Sequence, residues 1–179
     1  QVSLIKEVNA NVKKMGIIYS SNEVNSKVQS DLAVAKAKEL GIETFIQTIN
    51  SVNDITNAIN ALIGDGIEAI YLPTDNVIAT AVSTVTNITD DHGIISICGE
   101  EGMVKDGGLL SFSINYKALG IMTGEMGVKI LNGEAKPSDI PVGGLKAEAL
   151  SLVVNKTAAA TAKITLPEAL LSKADVVVE

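Results

Sequence analysis

Two segments of this chain run from an apolar stretch straight into a turn crowded with hydroxyl, amide and carboxylate groups. The first is Gly16-Ile17-Ile18-Tyr19-Ser20-Ser21-Asn22-Glu23-Val24-Asn25-Ser26, and the second is Ala69-Ile70-Tyr71-Leu72-Pro73-Thr74-Asp75-Asn76. Such side chains satisfy unpaired N–H groups at a helix start, and exposed N–H groups at the same place hold carboxylates or phosphates. A helix start needs one capping residue. The first turn offers Ser20, Ser21, Asn22, Glu23, Asn25 and Ser26, an excess that points to a polar ligand; simple capping is the alternative. In the second turn Asp75 makes a good cap by itself, with Asn76 beside it. Facing another polar turn, Asp75 is also placed to accept from a ligand ammonium group.

Two further clusters follow apolar runs. Glu100 and Glu101 come after Ile94–Cys98. Neighbours on an extended chain point to opposite sides, so they do not form an acid–base pair, and Glu100 remains as a ligand group or a solvated carboxylate. Ser113, Asn115 and Tyr116 close the next run, where Tyr116 can stack on a ligand and Asn115 can equally cap a helix. Signs of enzymatic chemistry are missing. The one histidine, His92, sits at a helix end, and the one cysteine, Cys98, lies in a core-like strand. That excludes an internal disulfide, a multi-His site and a Cys-rich metal site. No Gly-rich dinucleotide or phosphate loop follows any apolar run. No enzyme activity and no cofactor is expected.

The elements that must position these groups alternate between strand and helix. A short helix carries Leu4, Ile5, Val8 and Val12. Strands are expected at Met15–Tyr19, Ile42–Ile49, Ile67–Leu72 and Ile94–Cys98. Between them come helices: one over 24–40 with Val24, Val28, Leu32, Ala35 and Leu40 on its apolar face, one from Ile55 to Ile63, and one from Asp75 or Asn76 to Ile88. Short connections in that order require parallel strands with right-handed crossovers, so the fold class is α/β with a mostly parallel sheet flanked by helices, in Rossmann-like or flavodoxin-like layers. After Gly99 the pattern changes. Residues 99–108 read as a Gly- and Glu-rich loop, Leu109–Tyr116 as a strand, and 117–132 as a helix apolar nearly all round, which calls for cover on more than one side. A Pro/Gly stretch, Pro137–Gly144, leads to a last strand, Ala149–Val154, and Pro167 opens a short helix in the tail.

Composition narrows the partners. The chain has 179 residues, enough for one good-sized domain, with 46% apolar and only 3% aromatic residues and no Trp. Its net charge of −7 argues against nucleic acid and anionic membrane surfaces. Every basic residue is Lys, so a bound anion must use backbone N–H groups, hydroxyls, amides or a lysine instead of a guanidinium fork. No apolar run is long enough to span a membrane, and no signal peptide is visible. The chain opens without Met, inside an amphipathic pattern, and is read as part of something longer.

Five ordered motifs carry a resemblance. Lys13–Ser26, Ile70–Asn76, Gly99-Glu100-Glu101, Tyr116–Leu131 with Gly133–Val142, and Ile164–Asp175 resemble ABC-transporter substrate-binding proteins of the tryptophan/tyrosine-type uptake group. The resemblance covers essentially the whole chain. It implies a type I periplasmic-binding fold, in which two α/β lobes close over an amino acid or similar solute. It implies a non-enzymatic, extracytoplasmic receptor, periplasmic or lipoprotein-anchored, that serves a membrane permease. It further implies that this chain is the second lobe, about 1–105 plus 142–179, that residues 109–134 reach toward a missing N-terminal lobe, and that the solute meets Ser21, Asn22, Glu23, Asn25, Ser26, Asp75, Asn76, Glu100, Asn115 and Tyr116. The family often carries Asp where Glu100 stands and Asp where Asn115 stands. A flavodoxin-like redox carrier and the effector domain of a transcription regulator are the competing readings; the first lacks a Trp to cover a flavin, and the second lacks a DNA-binding module in this chain.

Overall fold

The computed structural model describes residues 1–144 and 149–179. Its first half is the expected alternation: α1 (Leu4–Val8), β1 (Lys14–Ser20), α2 (Val24–Glu39), β2 (Glu43–Ile49), α3 (Ile55–Gly64), β3 (Ala69–Leu72), α4 (Asn76–Thr80), α5 (Val82–Asp91) and β4 (Ile95–Cys98). The second half holds α6 (Glu101–Lys105), β5 (Leu110–Ile114), α7 (Tyr116–Leu131), β6 (Leu150–Asn155), α8 (Lys156–Thr161), α9 (Glu168–Leu171) and β7 (Val176–Val178). Seven strands form one sheet in the order β2-β1-β3-β4-β5-β6-β7. The first five are parallel, β6 runs antiparallel to β5, and β7 runs parallel to β6.

The apolar strands alternate between two cores. Ile17, Tyr71 and Ile97 point to one side, under α1, α2, α8 and α9. Ile18, Leu72 and Cys98 point to the other, under α3, α4, α5 and α6. Because α2 lies on one face and α3 on the other, β1 and β3 are the neighbours at which the winding reverses. In open α/β sheets ligands bind at that point, outside the carboxyl ends of the strands.

Four expectations need correction. The 99–108 segment is not all loop: Glu100 starts α6, and Met103 and Val104 are buried from it. The Gly-rich composition hid a five-residue helix. The helix after Asp75 breaks at Ala81, whose backbone leaves helical geometry. Helix α8 and strand β7 went unforeseen; each is short. Most informative is α2, whose expected apolar face points outward, with Val24 80% and Leu32 66% exposed. The buried face is Ser26, Ser30, Ala33 and Ala37. These small side chains let α2 lie close on the sheet, where a row of Val and Leu would hold it off.

Substituting Ala37→Leu is therefore expected to cost about 1–3 kcal/mol in urea unfolding. Val28→Ser, on the face that periodicity marked as core, should change stability by no more than about 0.5 kcal/mol.

Asp90 sits in the last turn of α5, beside a groove of about 400 Å³ shared with α6 and α8. Burial, helped by the charge of Asp91, pushes its carboxyl up to about 6 from an ordinary 3.8. The folded state thus holds this proton more tightly than the unfolded one. The stabilisation is complete below 3.8 and is lost as pH rises through about 6. Asp90→Asn cannot ionise, so its melting temperature should gain on that of the parent protein between pH 4 and 7; parallel melting curves would contradict this.

Candidate functional site

Four turns emerge side by side at the carboxyl edge, after β1, β3, β4 and β5. Three of the helices they open are capped by a side chain. Asp75 accepts from Val77 N at 3.0 Å and Ile78 N at 3.1 Å. Glu100 accepts from Gly102 N at 2.7 Å and Met103 N at 2.8 Å. Asn115 accepts from Ala118 N at 3.0 Å. The fourth helix, α2, has no side-chain cap. Glu23 stands in its cap position but reaches across to Asn76, accepting from its backbone N at 3.0 Å and its Nδ2 at 3.4 Å. The N–H groups of Val24, Asn25 and Ser26 consequently have no hydrogen-bond partner among the described residues. A sixteen-residue helix thus presents its positive end, without a side-chain cap, at the sheet's switch point.

The β1 and β3 turns are laced together. Ser20 N donates to Asp75 Oδ2 at 2.7 Å. Asn25 Nδ2 donates to Thr74 O at 2.8 Å, and Thr74 N donates to Gln29 Oε1 at 2.9 Å. Ser21 Oγ donates to Asn50 Oδ1 at 2.6 Å, tying in the end of β2. The β4 end joins by close approach: a Cβ on Gly99 would lie 2.5 Å from Thr74 N and 2.7 Å from Pro73 C, so only glycine lets these strands' ends meet.

The ten sequence-derived residues divide by this geometry. Ser21, Asn22, Asn25 and Asn76 are exposed on the lip, and Glu23 is half-buried between the two turns. Asp75 is 1% exposed, with its carboxylate enclosed by three backbone N–H groups. Ser26 is fully buried, and its Oγ has no partner among the described residues. Glu100, Asn115 and Tyr116 lie farther along the edge; Tyr116 is 51% exposed, and its hydroxyl is pushed up by desolvation and then by the charge of Glu100. Gln29, Asn50, Thr74 and Gly99 were not singled out from sequence. Gln29 had a usable signal, since it follows Asn25 by four residues on one face of α2. Between α2 and the ends of β3, β4 and β5 lies a cavity of about 420 Å³, with Leu32, Tyr71, Thr74 and Ile114 among its walls.

Bland readings hold elsewhere. His92 ends α5, with Nδ1 2.9 Å from Ile88 O. Cys98 is buried, and its thiol is pushed up by that burial. Among the described residues no group of three or more His, Cys, Asp or Glu could hold a metal ion.

Comparison with known proteins decides the family. The model of the ABC transporter substrate binding protein family matches residues 1–178. The chain belongs to this family. A solved ABC domain from Streptococcus pneumoniae, in complex with L-Trp, is 36% identical with a TM-score of 0.88, over 99% of this chain and 59% of that one. The ligand-free, open structure of a Clostridium difficile substrate binding protein with adhesive properties is 33% identical, TM-score 0.78, over 99% of this chain and 58% of that one. The tyrosine-binding protein of Clostridioides difficile is 34% identical over 155 residues, which are 87% of this chain and 44% of the relative. The chain thus spans less than half the length of that curated relative. The family places the substrate-binding reading above the redox-carrier and regulator readings.

Asp75→Ala removes an N-cap and leaves the buried Ser20 N–H without an acceptor. It should lower unfolding free energy by about 2 kcal/mol or more. A drop under 0.5 kcal/mol in denaturant titration would show that the two turns do not depend on this carboxylate.

Proposed function

We propose that this chain is the solute-gripping lobe of a receptor for an ABC importer, and that its solute is an amino acid or close analogue. The observation that carries this reading is the uncapped first turn of α2 at the switch point. With no arginine in the chain, a solute carboxylate is best met by backbone N–H groups, here those of Val24, Asn25 and Ser26, supported by Ser21 and Asn22. Glu100 serves the ammonium group: its oxygens already accept two N–H bonds, and a carboxylate accepts more than two. Tyr116, beside Glu100, offers a ring face to the solute's side chain. Asp75 belongs to the scaffold, since its enclosed carboxylate is engaged within the protein. The L-Trp and tyrosine named for the relatives are the first solutes to test.

The second-lobe assignment belongs to the same proposal. The expected bounds, 1 to about 105 plus 142–179 with 109–134 outside, shift at β5, because Leu110–Ile114 pairs with both β4 and β6 in this sheet. The lobe includes β5, and the segment that reaches to a partner lobe upstream starts at α7. In support, α7 buries none of its residues, and Ile121, Val128 and Leu131 are exposed on it. The relatives' extra length leaves room for such a lobe. Solute binding then acts by closing two lobes, the closed form being favoured by contacts that only it makes. An extracytoplasmic receptor, periplasmic or lipoprotein-anchored, that delivers to a membrane permease fits this picture. Among the described residues no helix is long and apolar enough to cross a membrane.

Titration calorimetry on the two-lobe protein tests the chemistry. L-tryptophan or L-tyrosine should bind, and tryptamine or tyramine, which lack the carboxylate, should bind at least about tenfold more weakly. Equal affinity for acid and amine would remove the α2 terminus from the site.

A further inference from the structure

Glu23 has two possible homes, and this chain shows both geometries. At α6, Glu100 stands in the cap position with extended backbone, φ −154° and ψ 166°, and folds back onto the second and third N–H groups of its own helix. At α2, Glu23 stands in the equivalent position, also extended at φ −111° and ψ 106°. Folding back in the same way, it would cover Asn25 N and Ser26 N. It does not, because Asn76 holds its carboxylate with two donors. Unmet polar capacity remains in that first turn: beyond its N–H groups, Ser26 Oγ is buried and also has no partner among the described residues.

We propose that Glu23 is a positioning residue for solute binding: held by Asn76, its carboxylate is kept off the first turn of its own helix, and those N–H groups stay open to the solute. The proposal rests on the reading of the cleft given above. It makes the β3 turn a holder of the one anionic group best able to compete with the solute. It also reverses the direct role expected from sequence, in which Glu23 touches the ligand.

The test is a set of three variants of the two-lobe protein, titrated with L-tryptophan and L-tyrosine. Asn76→Pro removes both donors while suiting the fold, because residue 76 is the first residue of α4, where proline is favoured. The preceding Asp75, extended at ψ 124°, already has the backbone that a following proline requires. Glu23 is then free to cap α2, and the dissociation constant should rise about tenfold. Glu23→Ala, which cannot cap, should bind within about threefold of the parent protein. The double variant should recover the affinity that Asn76→Pro alone loses. Unchanged binding in Asn76→Pro overturns the proposal. So does a double variant as weak as Asn76→Pro, which would make Asn76 a direct contact. So does loss of binding in Glu23→Ala, which would make Glu23 one. If Asn76→Pro does not fold, Asn76→Ala, which removes the Nδ2 donor and keeps the backbone one, takes its place in the same comparison with a smaller expected rise. A parent protein that binds neither amino acid overturns the functional reading itself and this proposal with it.

Discussion

The bond from Ser20 N to the carboxylate of Asp75 is the constraint on which the rest of this edge depends. It joins the last residue of β1 to the residue that opens α4, with the acceptor wholly inside the protein. The same carboxylate caps α4, so one side chain fixes both the height of the β1 turn and the start of the neighbouring helix. Asn76 is then fixed, and through it Glu23; Thr74 is fixed, and through it Asn25 and Gln29. Gly99 admits the same turn from the β4 side. A buried acceptor with three N–H donors is costly to disturb, because every freed donor would be left away from water. On the proposed reading this edge is one wall of the solute cleft, and a wall ordered in advance spares binding the entropy of ordering it.

At the proposed site this chain brings no arginine to a carboxylate, and that has its own physics. A chain of net charge −7 gains little from long-range attraction for an anion, and its lysines are solvated points of charge on flexible stems. A helix terminus supplies partial positive charge at fixed positions and at no side-chain entropy. It also discriminates by shape, since only a group that fits the turn reaches the N–H groups. On the proposed reading, a receptor that must release its cargo does well with several moderate hydrogen bonds in place of one strong ion pair.

Much of the fold was legible because parallel β/α alternation leaves a strong pattern: continuous apolar strands, glycines past helix ends, capping residues before them. What misled was the face of α2. Its period was plain, but periodicity says where apolar residues line up and not which side meets the sheet; there, contact distance ruled, and Ser26, Ser30, Ala33 and Ala37 won over Val24, Val28 and Leu32. At the site, residue types revealed an excess of caps. They could not reveal which of those groups satisfy each other, because the partners lie 49 residues apart for Asn25 and Thr74, 53 for Glu23 and Asn76, and 55 for Ser20 and Asp75. Asn115 was seen as a possible cap and does cap its helix, whereas Glu100, read as a ligand group or a solvated carboxylate in a loop, caps a helix that the sequence pattern did not mark.

One further feature lies where the sheet reverses direction. Strands β5 and β6 are antiparallel neighbours, and their ladder ends at the pair Ile114 and Leu150. The described residues 115–144, α7 included, lie outside the sheet, and the chain leaves and rejoins it at adjoining points. Both attachment points lie on one rung, so a change in the angle of α7 would lengthen no rung of that ladder.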